Sequence, residues 1–154
     1  MTYSALVRLA ALLMLATVPG IAAQTQKKPA APAVDGKVWL TPTCGCCGKW
    51  VEHMQASSFK LTREVTTELD AVPERKRVPE QLRSCHTALI GQYLVEGHVP
   101  ADVVRQLLKE QPKIAGIATP GMPVGSPGME GPGARPYSIV AFRADGTTYE
   151  FARR

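Results

Sequence analysis

Three of the four cysteines in this chain fall within four consecutive positions, in Thr43-Cys44-Gly45-Cys46-Cys47-Gly48. Cys44 and Cys47 have the C-x-x-C spacing of a redox dithiol, with Cys44 as nucleophile and Cys47 as the resolving thiol. Cys46 adds a third sulfur that a plain dithiol does not need. Thiolates this close can clasp a soft metal, exchange electrons as a disulfide, or do both. More soft donors follow: Cys85 and His86 in Ser84-Cys85-His86-Thr87, His98, and Met122 and Met129 in two Pro-Gly-Met steps at 120–122 and 127–129. Thiolate and thioether together select Cu(I). Structural zinc draws ligands from two separated knuckles, and this chain has one. Iron–sulfur spacings do not crowd three cysteines into four residues. Neighbouring Cys46 and Cys47 cannot easily close on one tetrahedral ion, so sulfurs bridging more than one copper are expected.

Each downstream donor also has a plainer explanation. His98 could be an ordinary helix-start residue, and the two methionines could be incidental to a surface loop. His53 and Met54 lie within two turns of the cysteines, but an exposed helix residue and a core residue account for them. Two structural disulfides are the plain reading of the cysteines. At most one of the clustered three can reach Cys85, so a second bridge would close a loop of two or three residues. Such a loop constrains the unfolded chain little.

The start of the chain bears on compartment. Arg8 precedes an apolar run, Leu9 to Val18, and the small-residue exit Pro19-Gly20-Ile21-Ala22-Ala23. That pattern reads as a cleavable export signal over residues 1–23, since a spanning helix needs about 20 apolar residues. The address expected is the periplasm, with no membrane attachment after cleavage. The net charge of +5 is mild. It comes without a dense basic stripe interleaved with aromatics, so nucleic acid is not an expected partner. Glu74-Arg75-Lys76-Arg77, the densest charge cluster, reads as a solvated turn or helix face.

The elements that must position the donors can be read in order. Residues 24–36, rich in Ala, Pro and Lys, form a flexible leader. Lys37 to Leu40 is a short buried strand, and Lys49 to Ala56 a helix with Trp50, Val51 and Met54 on one face. The cysteines therefore sit at a helix start, where free N–H groups and the dipole favour thiolate. Phe59 to Thr67 alternates as a second strand, and residues 69–79 are irregular or a short helix. Ala88-Leu89-Ile90 and Tyr93-Leu94-Val95 make two short strands or one bent at Gly91. A helix is expected with Pro100 at its first position, Asp102 in its first turn and Pro112 closing it. Residues 119–136, ten of them Pro or Gly, can form neither helix nor central strand. Tyr137 to Phe142 and Thr147 to Phe151 flank Asp145-Gly146 as a hairpin. The order suggests an α/β, thioredoxin-like sandwich: core over residues 37–118, then a metal-binding loop and closing hairpin over 119–154.

Four motifs also carry a family resemblance. Thr-Cys-Gly-Cys-Cys-Gly-Lys-Trp at 43–50, Ser-Cys-His-Thr-Ala at 84–88, Glu-Gly-His-Val-Pro at 96–100 and Pro-Gly-Met-Pro-x-Gly-Ser-Pro-Gly-Met at 120–129 resemble the CopG family. These are exported CxCC proteins of Gram-negative bacteria, associated with copper resistance. The resemblance implies a thioredoxin-like domain with a C-terminal extension that helps bind metal. It implies copper held by Cys44, Cys46, Cys47 and Cys85, with His98, the extension methionines and His86 following. It also implies a role in interconverting Cu(I) and Cu(II). The partners expected are copper ions and other periplasmic copper-handling proteins, with the chain a monomer. Two other functions compete: a thiol–disulfide oxidoreductase for protein substrates, and a passive copper chaperone or buffer.

Overall fold

A computed structural model describes residues 32–154; the expected export signal and leader residues 24–31 lie outside the described residues. Strand β1, Val34–Leu40, leads through helix α1, Gly45–Ala56, into β2, Phe59–Val65. The two strands pair in parallel along their whole length, from Val34 opposite Phe59 to Leu40 opposite Val65. The strand expected from Lys37 thus starts three residues earlier, inside the stretch read as leader. The helix likewise starts at Gly45 rather than Lys49, so Cys46 and Cys47 are helical.

A segment with a short helix, α2, Pro73–Lys76, follows. Next come β3, His86–Ile90, and β4, Tyr93–Gly97, an antiparallel pair turning at Gly91 with φ +59°. Helix α3, Ala101–Glu110, ends on Gln111 in the left-handed region, with Pro112 beyond it. Pro100 stands one residue outside α3 rather than at its first position. Strands β5, Gly116–Thr119, β6, Ser138–Phe142, and β7, Thr148–Arg153, complete one sheet in the order β2-β1-β3-β4-β5-β6-β7. The fold is mixed α/β. In the closing hairpin the Gly146 N–H donates to the Arg143 carbonyl, and φ of +83° at Gly146 makes the turn a glycine position.

Strand alternation assigns the two faces of the sheet. Val38, Val95, Ile117 and Ala141 face Trp50, Val51 and Met54 of α1 and Val103, Val104 and Leu107 of α3 in the main core. On the other face, the segment between β2 and β3 supplies Val78 and Leu82 against Leu94, Ala118 and Phe142, and Leu69 and Val72 against Trp39. Among the described residues no helix is long and apolar enough to cross a membrane.

Strand β5 escaped the sequence reading because it is four residues long and buried throughout, so it shows no alternation. A Cβ at Gly116 would stand 2.2 Å from the Leu94 carbonyl oxygen and 2.7 Å from the Phe142 ring. Gly116→Ala is therefore expected to cost about 2–3 kcal/mol as β4 and β5 are forced apart. Urea unfolding of the two proteins measures this; equal stability would contradict the packing.

The charge cluster at 74–77 is corrected in one residue. Arg75 is only 8% exposed. Its guanidinium donates to Asp70 Oδ1 at 2.7 Å and to the buried Glu96 Oε1 at 2.7 Å. Periodicity cannot reveal this, because the partner lies 21 residues away, on strand β4.

Candidate metal centre

Cys44 is the residue before the first turn of α1, and Cys46 and Cys47 lie within that turn. Cys44 and Cys47 are joined in a disulfide, and Cys46 and Cys85 are free. Cys44 Sγ and Cys46 Sγ are 3.5 Å apart. Cys47 is fully buried, and its sulfur lies 3.5 Å from the Cys85 carbonyl oxygen. That contact packs the helix start against the loop entering β3. The four sulfurs all lie within 4.8 Å of one another. Cys47 and Cys85 stand 38 positions apart, and the pairing of β1 with β3 closes that distance.

Cys85 belongs to a second donor group as well. Its sulfur is 3.1 Å from His98 Nε2 and 3.4 Å from His86 Nδ1. The three donor atoms again lie within 4.8 Å of one another. His98 Nδ1–H donates to the Pro127 carbonyl at 2.8 Å. This places the proton on Nδ1 and turns the Nε2 lone pair toward Cys85, the arrangement that orients metal-binding imidazoles. His86 is fully buried, and its Nε2 has no hydrogen-bond partner among the described residues. Its ring lies tilted against Trp50, at 41° with centroids 4.4 Å apart, and meets His98 edge-on at 5.1 Å.

Burial favours the neutral form of each of these three donors. Burial, with His98 beside it, pushes the His86 pKa down to about 3. Burial also lowers His98. Desolvation, then the neighbouring Cys46, pushes the Cys85 thiol up to about 12. A neutral imidazole nitrogen can ligate a metal without losing a proton, whereas a thiol would have to release its proton to solvent to do so.

The proline-rich stretch is an ordered, internally bonded loop. Met129 N–H donates to Ser126 O at 2.8 Å, and Gly125 N–H to Met129 O at 2.9 Å. Its second Pro-Gly-Met step docks on α1. A Cβ at Gly128, where φ is +85°, would stand 2.7 Å from the Cys46 carbonyl oxygen and 3.0 Å from the Trp50 nitrogen. Pro127 meanwhile holds His98. The Gly128 backbone is thus seated against the cysteine turn, with the partly buried Met129 next to it in sequence, while Met122 is 40% exposed.

The two residues set aside in the sequence have structural work. Met54 is fully buried in the core. His53 Nε2 accepts the Ala101 N–H at 3.1 Å, satisfying a free donor at the start of α3. Trp50 does more than pack, because its Nε1–H donates to the Val99 carbonyl at 2.8 Å and so ties α1 to the residue after His98. Sequence reasoning missed Glu96, although it stands in the quoted Glu-Gly-His-Val-Pro motif. It is fully buried, and burial raises its carboxyl pKa against the pull of Thr87, Ser84 and Arg75.

A family model described as a protein of unknown function, DUF411, matches residues 82–129. That span holds Cys85, His86, His98 and both Pro-Gly-Met steps. Two solved structures, described as copper resistance protein CopG in form 1 and form 2, are similar to this chain at 39% identity. Each comparison covers 79% of this chain and 98% of the other, with a TM-score of 0.73. No curated protein matches.

Proposed function

From the premise that this chain belongs to the CopG family of copper resistance proteins, we propose that it is a periplasmic, redox-active copper-binding protein. The observation that carries this reading is the gathering of four cysteine sulfurs within 4.8 Å, with Cys85 shared with two imidazoles. A shared sulfur supports more than one copper ion, with Cys44, Cys46, Cys47, Cys85, His86, His98, Met122 and Met129 as ligands. Met129 has the firmer place through the docked loop, and Met122 is free to meet incoming metal. The order β1–α1–β2, then β3–β4–α3, supports a thioredoxin-like frame beneath the site.

The redox step can be balanced with the groups present. Reduction of the Cys44–Cys47 disulfide takes two electrons and yields two thiolates. Each Cu(I) oxidised to Cu(II) supplies one, so two copper ions match one disulfide. Operated in reverse, the dithiolate returns the electrons to Cu(II). The neutral imidazoles suit either valence, while the thiolates favour Cu(I).

Anaerobic Cu(I) titration of the reduced protein without residues 1–23, with free thiols counted at each step, tests the reading. More than one copper per chain is expected, with all four thiols consumed. Cys46→Ser should lower the stoichiometry, and Met122→Leu should weaken binding without changing it. Parental stoichiometry in Cys46→Ser would sink the cluster. A second reading, a thiol–disulfide oxidoreductase for protein substrates, is favoured by the disulfide at a helix start with one partly exposed sulfur. Insulin reduction at the rate of a generic dithiol enzyme, indifferent to copper, would favour it. Copper transfer without valence change would instead indicate a passive chaperone.

A further inference from the structure

We infer that Glu96, backed by Arg75, is a positioning residue that clamps the chain on both sides of Cys85 and His86. Glu96 Oε1 accepts the Ser84 N–H at 2.5 Å, one residue before Cys85. Glu96 Oε2 accepts the Thr87 hydroxyl at 2.6 Å, one residue after His86. The two carboxylate oxygens thus straddle the Cys85–His86 dipeptide. Arg75 holds the carboxylate from behind at 2.7 Å, lies 3.4 Å from the Thr87 hydroxyl, and is itself tethered to Asp70. Gly97 completes the fit. It has φ +68°, and a Cβ there would meet Ser84 Oγ at 2.8 Å.

A buried ion pair is a poor way to gain stability, because desolvation consumes most of its attraction and apolar residues of similar volume often serve as well. What an apolar pair could not supply is the grip on the Ser84 N–H and the Thr87 hydroxyl. Those bonds fix the height and direction of Cys85 above the cysteine turn. Glu96 also stands two residues before His98, so the end of β4 and the residue just after it set both sides of the Cys85–His98 contact. Among the described residues, Glu96 makes its hydrogen bonds to Arg75, Ser84 and Thr87 and none to a sulfur or imidazole; it acts through the backbone that carries them. The copper arm of the test below rests on the function proposed above, and the thiol arm does not.

The test uses Arg75→Met/Glu96→Leu, which removes both charges so that neither is left buried alone. In a metal-free Cys46→Ser background with the Cys44–Cys47 disulfide intact, Cys85 is the one free thiol. Its alkylation by iodoacetamide is expected to quicken roughly tenfold, because the segment carrying this partly buried thiol would be held less firmly and would open more often. Glu96→Gln, whose carbonyl still accepts from Ser84, should fall between parent and double variant. With all four cysteines present and reduced, the double variant should bind Cu(I) about 10–100-fold more weakly, the usual effect of losing an outer-shell partner. A folded double variant with the parental alkylation rate overturns the inference, whatever copper does. If circular dichroism shows that it does not fold, Thr87→Val removes one of the two grips and carries the same test. A roughly threefold faster alkylation is then expected, and a parental rate overturns the clamp. Failure of the parent to bind copper would instead defeat the copper reading and leave the alkylation arm to decide.

Discussion

Reducing the Cys44–Cys47 disulfide is expected to raise Cu(I) affinity by at least about a hundredfold. Only the thiolate is a strong metal ligand, and the disulfide withholds two of the four sulfurs. Loss of a single outer-shell partner costs about 10–100-fold in metal affinity, and removing two direct ligands should cost no less. Anaerobic competition against a chromophoric Cu(I) chelator, run on oxidised and pre-reduced protein, reads the difference. Equal affinities would show that the quartet is not the binding unit. The same titration examines the redox step. If Cu(I) reduces the disulfide, the protein gains two mass units and two Cu(II) ions appear by electron paramagnetic resonance for each bridge opened. Transfer without Cu(II) would leave the protein a copper carrier.

Gly128→Ala is expected to weaken copper binding by about 10–100-fold, through loss of support at His98 and displacement of Met129. Two effects combine at this position. The backbone lies at φ +85°, where an L side chain is strained, and the added carbon would press on the Cys46 carbonyl and the Trp50 nitrogen. Relief comes only by lifting the loop off α1, which takes the Pro127 carbonyl away from His98 Nδ1. His98 then loses the bond that fixes its tautomer. Gly121→Ala is the matched comparison: φ there is +76°, but a Cβ would meet nothing within 4 Å. A copper defect in Gly128→Ala that is absent from Gly121→Ala would place the effect in docking rather than backbone strain. Equal affinities for both would show that the docked loop does not support the metal.

Much of the site was legible as a set of donor types. Cys44, Cys46 and Cys47 announced themselves by spacing, and the helix-start position followed from Trp50, Val51 and Met54. Local punctuation was reliable where one residue type has one backbone use: Pro100 and Pro112 bracket α3, and Asp145-Gly146 turns the last hairpin. Reading failed where the signal is not local. Strand β5 is too short and too buried to alternate. Arg75 looked solvated because its neighbours in sequence are charged, yet its partner Glu96 arrives from β4. His53 looked idle because the N–H it accepts belongs to α3.

Composition and spacing alone therefore determined the chemistry available: soft sulfur donors, imidazoles, and a proline-stiffened loop bearing thioethers. These are properties of side chains and of short-range backbone preference, and they need no fold to be recognised. Only tertiary structure decided which donors meet. Antiparallel pairing of β1 with β3 brings Cys85 to the cysteine turn, the Glu96 bonds hold it there, and Gly128 seats the loop that orients His98. Each of those contacts joins residues far apart in the chain. Their geometry depends on sheet register and close packing, which sequence spacing does not encode.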